Sequence, residues 1–223
     1  TCDEAVLVFL MRIVMMGPPG SGKGTRAHII SELYGIPVIT TGDMLRGAVR
    51  EKTEYGLEAK VYMDRGDLVP DSIVNGIVKD RMGKPDLAKG FILDGFPRSV
   101  NQADALDEIL KKKDVELTHV LSVVLSDKEI IERLSKRRSC PDCNEIYHLV
   151  SKPPKKEGIC DKCGAKLILR KDDKETVIRY RLLVYKETTH QLLERYEKMG
   201  LVVDTDGEIP FDELHDHLKK LLG

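Results

Sequence analysis

The chain of 223 residues contains no tryptophan, and its aromatic fraction is only 5%. It has no excess of charge of either sign: 36 basic residues stand against 37 acidic ones, for a net charge of −1. A balance so close to zero supplies no global field to attract nucleic acid or a membrane surface. No basic stripe interleaved with aromatics is present to act locally on nucleic acid. Long hydrophobic runs are also lacking. The longest, residues 5–16, is interrupted by Arg12 and is too short to span a bilayer. No internal repeat is found. What remains, 41% apolar and 33% charged residues, is the balance of a soluble globular chain with one core and room for small insertions.

The beginning of the chain reads Thr1-Cys2-Asp3-Glu4, two acids where a signal peptide has a basic start. The functional chain is expected to start near Met11, with residues 1–10 an extension. The alternative is a genuine extra strand over residues 5–10.

The most informative stretch follows the apolar run Ile13-Val14-Met15-Met16. It reads Gly17-Pro18-Pro19-Gly20-Ser21-Gly22-Lys23-Gly24-Thr25. Glycines let successive backbone N–H groups converge on one point, and a following helix adds its positive end there. Lys23 supplies a mobile charge for the outer phosphates of a nucleotide. Gly17, Gly22 and Lys23 meet the phosphate-loop spacing, although Gly24 displaces the hydroxyl to Thr25. A ligand-free glycine turn is the alternative. A dinucleotide fingerprint fails, because its third glycine would fall on Thr25.

Four cysteines form Cys140-Pro141-Asp142-Cys143 and Cys160-Asp161-Lys162-Cys163, two C-x2-C pairs sixteen residues apart. Two such knuckles can complete a tetrahedral shell with no open position, a structural zinc site rather than a catalytic one. Two disulfides or a redox pair are the alternatives. His148 is expected at the surface of the same hairpin.

Short aliphatic runs alternate with helical stretches, which predicts an α/β fold with a parallel sheet flanked by helices. Strands are expected at 12–16, 37–39, 91–93, 120–125 and 201–203. Helices are expected at 24–33, 43–50 with Asp43 as cap, 71–81, 102–112, 127–137, 175–199 and 211–222. Lys111, Lys112 and Lys113 read as a solvated helix end. Residues 40–69, with helical signals only, and 136–173, with the cysteine pairs, read as insertions into one core. Ligands bind beyond the carboxyl ends of parallel strands, so chemistry is sought there.

Six arginines recur at strand ends and insertion hinges: Arg46, Arg98, Arg133, Arg137, Arg170 and Arg181. Arg133 and Arg137 are spaced to share one helix face. In a chain with a triphosphate loop, such a set suits two polyphosphate-bearing substrates held close together. For any one arginine, an ordinary salt bridge is the alternative.

The blocks Gly17 to Thr25, Thr41-Gly42-Asp43-Met44-Leu45-Arg46, Asp94-Gly95-Phe96-Pro97-Arg98 and Arg170-Lys171-Asp172-Asp173 resemble those of adenylate kinases. The cysteine hairpin, with Tyr147-His148 and Pro153-Pro154, resembles the zinc-bearing long lid of some bacterial and archaeal-type members. The resemblance covers 11–223. It implies a P-loop three-layer fold with a five-stranded parallel sheet, helices on both faces and two inserted mobile subdomains. The core would be 11–39, 70–135 and 174–223, the nucleoside monophosphate insertion 40–69, and the lid 136–173.

The resemblance also implies roles. Gly20, Ser21, Gly22, Lys23, Gly24 and Thr25 would hold ATP phosphates, with Arg133 and Arg137 at the lid hinge, Ile146 and Tyr147 on the lid, and Gly207 beside the ATP adenine. Thr41, Arg46, Asp67, Leu68, Val69, Gly95, Phe96, Pro97, Arg98, Gln102, Arg170 and Arg181 would hold AMP. Lys23, Arg98, Arg137, Arg170 and Arg181 would share charge on the transferred phosphoryl, and Asp94 would organise a Mg²⁺ shell. The expected reaction is ATP + AMP ⇌ 2 ADP, by a cytoplasmic monomer with structural Zn²⁺ and no nucleic-acid or membrane partner. Arg26, where many members have glutamine, is expected to be a neutral surface change. The rivals are a UMP/CMP kinase of the same fold, a P-loop switch protein, and a zinc-ribbon nucleic-acid binder.

Overall fold

The computed structural model describes residues 10–223. The expected alternative of a strand over 5–10 lies almost entirely outside them. Strand β1 (Met11–Met16) buries both of its faces: Ile13 and Met15 pack on one side of the sheet, Val14 and Met16 on the other. A strand covered on both faces reads as an unbroken apolar run, and that run put it at the sheet centre. Beside it lie β3 (Gly90–Asp94) and β4 (His119–Val124), with β2 (Val38–Thr40) and β7 (Val202–Asp206) at the edges. All four pairings are parallel, in the order β2-β3-β1-β4-β7.

Helices α1 (Lys23–Tyr34) and α9 (Phe211–Leu222) cover one face through Ala27, Ile30, Leu214 and Leu218. On the other face, α4 (Asp71–Met82) and α5 (Val100–Lys112) supply Val78, Met82, Ala103 and Leu106. Each fully buried aliphatic side chain contributes about 1.5–3 kcal/mol, so the two cores together dominate the stability. The lysines at 111–113 are exposed at and just beyond the end of α5. No helix among the described residues is long and apolar enough to cross a membrane.

Several elements differ from the sequence expectation. Helix α2 (Thr41–Arg50) begins before Asp43, which therefore does not cap it and instead pairs with Arg46 one turn on. A separate helix, α3 (Glu54–Arg65), fills out 40–69, started by the Thr53 hydroxyl accepting from the Gly56 N–H. Helix α6 (Asp127–Lys136) stops one residue short: Arg137 is extended and opens β5 (Arg137–Ser139), which pairs antiparallel with β6 (Ile146–His148). Arg133 and Arg137 thus do not share a helix face.

The long helix expected over 175–199 is three pieces. These are α7 (Glu175–Val184), a π-helical turn (Tyr185–Thr189) and α8 (Gln191–Lys198). The wide turn presents buried Thr189, whose hydroxyl donates to the Arg98 carbonyl at 3.1 Å. Periodicity cannot reveal such a bulge, because the sequence on both sides stays helical.

Candidate active site

The phosphate loop runs from the end of β1 into α1. Gly22 takes φ 95° at the helix N-cap, a left-handed conformation open to glycine. The Lys23 ammonium is folded back onto the loop, donating to the carbonyls of Gly17 (2.8 Å) and Pro18 (2.7 Å). Burial pushes its pKa down to about 8, against the pull of Asp94 and with the help of Arg98, Arg181 and Arg137. The Ser21 hydroxyl is buried without a hydrogen-bond partner. The Asp94 carboxylate, at the end of β3, lies over Gly24, and its pKa is raised by burial although Lys23 and Arg98 oppose the shift.

A second pocket opens beside this loop. Thr41, Arg46, Asp67, Leu68, Val69, Gly95, Arg98, Gln102 and Arg181 line it, from elements spread over 140 residues of chain. The Thr41 hydroxyl donates to the Gly95 carbonyl at 2.8 Å. The Gln102 side chain is engaged on both ends: its oxygen accepts from the Arg98 N–H at 2.8 Å and its nitrogen donates to Asp71 at 2.7 Å. Arg98 is thus fixed through its N–H by Gln102 and through its carbonyl by Thr189, while its own Nε holds the Gly95 carbonyl at 2.9 Å.

The arginines converge. Burial depresses the pKa values of Arg98 and Arg181 and brings Arg170 to about 9, with Arg46 and Arg137 adding repulsion at Arg170. The 3-10 turn Lys171–Asp173 threads two carboxylates, Asp172 and Asp173, into this set. Asp173, 0% exposed at its side chain, is gripped by Nε and Nη2 of Arg137, and Arg181 pairs with Asp172 at 2.9 Å. Crowded cations in a low-dielectric cleft favour an anionic guest carrying several charges.

Segments 40–69 and 136–173 touch. Arg50 of α2 donates to the Asp142 carbonyl at 3.1 Å, and Lys171 pairs with Asp64 of α3 at 2.9 Å. In the cysteine hairpin the four sulfurs lie within 4.8 Å of one another. Cys140 and Cys163 are 3.3 Å apart and Cys143 and Cys160 are 3.6 Å apart, so neither pair is a disulfide. A tetrahedral zinc thiolate, with Zn–S of about 2.3 Å, puts its sulfurs about 3.8 Å apart, so the donor set fits such an ion.

With that geometry in hand, comparison with known proteins is decisive. The adenylate kinase family model matches residues 15–201. A protein named adenylate kinase from Archaeoglobus fulgidus is 49% identical over 212 residues, covering 95% of this chain and 98% of its own. One from Bacillus licheniformis is 49% identical over 213 residues (96% and 98%), and one from Clostridium botulinum 47% over 213 residues (96% and 99%). The chain belongs to the adenylate kinase family.

Within this adenylate kinase fold, not every expected side chain faces a nucleotide cleft. Phe96 is packed in the core at 1% exposure, and buried Pro97 follows it behind Gly95. Arg170 lies outside the wall of the second pocket and donates to the Ser139 hydroxyl at 3.1 Å. Tyr147 turns inward: its hydroxyl lies 3.5 Å from the Cys160 sulfur and accepts from the Asp161 N–H at 2.7 Å, so its ring serves the hairpin, while neighbouring Ile146 is exposed. His148 is half-buried rather than superficial, its Nδ1 accepting from the N–H groups of Val150 and Ser151. Arg26 is no surface change at all, being 3% exposed.

Asp71, Ser99 and Thr189, which hold Arg98 and Gln102 in place, have no part in the sequence reading, and Asp173, which holds Arg137, enters it only inside the block Arg170–Asp173 with no role of its own. Their signal is weak because short polar residues occur in any turn. Replacing Asp173 with Asn removes the one buried carboxylate that Arg137 grips. We expect a stability loss of about 3 kcal/mol, read from the urea midpoint, because one partner of a buried ion pair is removed. An unchanged midpoint would show that Arg137 is solvated without it.

Proposed function

We propose that this enzyme transfers the γ-phosphoryl of ATP to AMP, giving two ADP. The observation that carries the reading is a phosphate loop with a buried lysine beside a pocket lined by Thr41, Arg98 and Gln102, with the buried cations Arg98 and Arg181 close enough to act on that lysine. The acceptor phosphate is already an oxyanion, so no general base is required. Positioning and charge stabilisation then carry the catalysis. Lys23, Arg98, Arg137, Arg170 and Arg181 would share the charge on the equatorial oxygens. Gly20 to Thr25, Arg133 and Gly207 would hold the donor, and Thr41, Arg46 and residues 67–69 the acceptor. Magnesium bound with the triphosphate would neutralise its outer oxygens, and Asp94 would organise that shell.

We read residues 40–69 and 136–173 as flaps that close over the two nucleotides and exclude water, the competing acceptor. The four cysteines would hold zinc as a structural ion. The balanced charge supports a chain without nucleic-acid or membrane partners, and we take it to act as a cytoplasmic monomer. Assaying AMP, UMP and CMP against ATP by coupled ADP release tests the reading. AMP should be preferred by at least about tenfold in kcat/KM; a preference for a pyrimidine monophosphate, or ATP hydrolysis with no acceptor, would replace it.

A pH dependence follows from Lys23. In the free enzyme its ammonium is charged below pH about 8 and neutral above it, so kcat/KM for ATP should fall as pH rises through that value. Stability of the nucleotide-free protein runs the other way. The folded pKa lies below the unfolded value of 10.5, so between about 8 and 10.5 the unfolded chain binds the extra proton and the Lys23 penalty is relieved as pH rises. A kcat/KM profile flat to pH 9.5 would contradict the assignment of Lys23.

A further inference from the structure

Arg26 is the buried cation that this mechanism leaves unused. It lies in the first turn of α1, where the helix end is already positive and a cation is disfavoured. It is 3% exposed, and its Nε is buried without a partner. One arm donates to the Asp206 carbonyl. The other lies against the phosphate loop: a Cβ on Gly22 would sit 2.8 Å from Nη1. From α6, Arg133 donates to the Gly207 carbonyl at 2.9 Å. Two guanidiniums, from α1 and α6, therefore grip the consecutive carbonyls of Asp206 and Gly207, where β7 ends. Gly207 is itself pressed onto β4, its N–H donating to the Val124 carbonyl at 2.7 Å, and a Cβ there would lie 2.8 Å from that same oxygen.

We infer that Arg26 is a positioning residue for the donor nucleotide: it fastens the loop at 206–207 to the phosphate loop, so that a nucleoside triphosphate meets both as one preformed surface. The inference rests on the functional reading above. All of its contacts lie on the donor side, and none reaches the pocket of Thr41 and Gln102. Its burial lowers the pKa to about 10, with Arg133 adding to the shift and Asp206 opposing it, a placement the negative charge of a bound triphosphate would relieve. A role in folding alone would weaken both substrates alike, whereas a bridge between two donor loops weakens only one.

The test is titration calorimetry with ATP, AMP and inorganic tripolyphosphate, together with steady-state kinetics, on the wild-type enzyme, Arg26→Gln and Arg26→Lys. For Arg26→Gln, ATP should bind about tenfold more weakly, the effect of losing one charge-assisted hydrogen bond. Tripolyphosphate, which cannot reach the 206–207 loop, should lose less, and AMP affinity and kcat at saturating ATP should be unchanged. Arg26→Lys keeps the charge and one arm; it should restore tripolyphosphate binding and part of the ATP binding, and it carries the test should Arg26→Gln fail to fold. Unchanged ATP affinity in the variants, an equal loss for AMP, or an equal loss for tripolyphosphate would overturn the inference. A wild-type enzyme that makes no ADP from ATP and AMP would instead overturn the functional reading.

Discussion

Replacing Lys23 with Met should lower kcat by two to three orders of magnitude without lowering the melting temperature of the nucleotide-free protein. The first half follows from what the ammonium is placed to do. It sits at the mouth of the phosphate loop with Asp94, Arg98, Arg137 and Arg181 close enough to perturb it. Removing one preorganised donor aimed at developing charge typically lowers kcat by about 10²–10³. The second half follows from its state in the free protein. There Lys23 is held by two backbone carbonyls, and burial drags its pKa from 10.5 to about 8, so the fold disfavours its charge. Methionine matches its stem as far as Cε and carries no charge to desolvate. A site residue whose removal abolishes activity yet does not weaken the fold is held there for function. Thermal melts monitored by circular dichroism and a coupled ADP assay measure both halves. A variant with more than about a tenth of wild-type kcat would remove Lys23 from the mechanism.

The second large effect is expected on metal removal. The hairpin around the cysteines has a core of only four buried residues, Cys140, Tyr147, Cys160 and Leu167. Two of these are themselves proposed ligands. A segment of about 38 residues with so little apolar burial does not hold its shape alone. Four metal–sulfur bonds would supply the missing restraint. Treating the protein with a strong chelator should therefore lower its melting temperature by roughly 10 °C, the shift expected for a few kcal/mol in a chain of this size. Amide exchange should accelerate within residues 138–168 and stay unchanged in β1, β3 and β4. At temperatures where the fold persists, turnover should remain within about twofold of the metal-loaded enzyme, since a site with four protein ligands offers no open position for chemistry. A chelated sample that is still folded but has lost phosphoryl transfer would mean that the ion acts in catalysis rather than in the hairpin.

Much of the protein is legible in the sequence because some of its constraints are local. Three glycines and a lysine at Gly17 to Lys23 encode a loop conformation and its charge together. The spacing within Cys140–Cys143 and Cys160–Cys163 is set by how two thiolates reach one ion. The five strands were expected within a few residues of where they lie, since the apolar runs of a doubly covered parallel sheet need no partner to be recognised. Arg46, Arg98 and Arg181 stand out in the sequence by their place near strand ends and insertion hinges, and all three line the pocket.

Other features depend on partners far away in the chain. Arg26 looks like any charged residue on a helix until β7 brings the Asp206 carbonyl to it from 180 positions away. The resemblance implies that Tyr147 faces ATP from the lid, yet the sulfur of Cys160 is what it meets. The break at Tyr185–Thr189 leaves no mark in helical periodicity, and only packing against the Arg98 loop gives Thr189 a reason to face inward. The sequence by itself determined the phosphate loop, the metal-binding spacing and the α/β alternation, for these follow from backbone geometry and residue spacing over a few positions. Which cation is buried, which carboxylate holds it and which loops are tied together was decided only by the tertiary structure, because the free energy of a charge depends on what surrounds it in space.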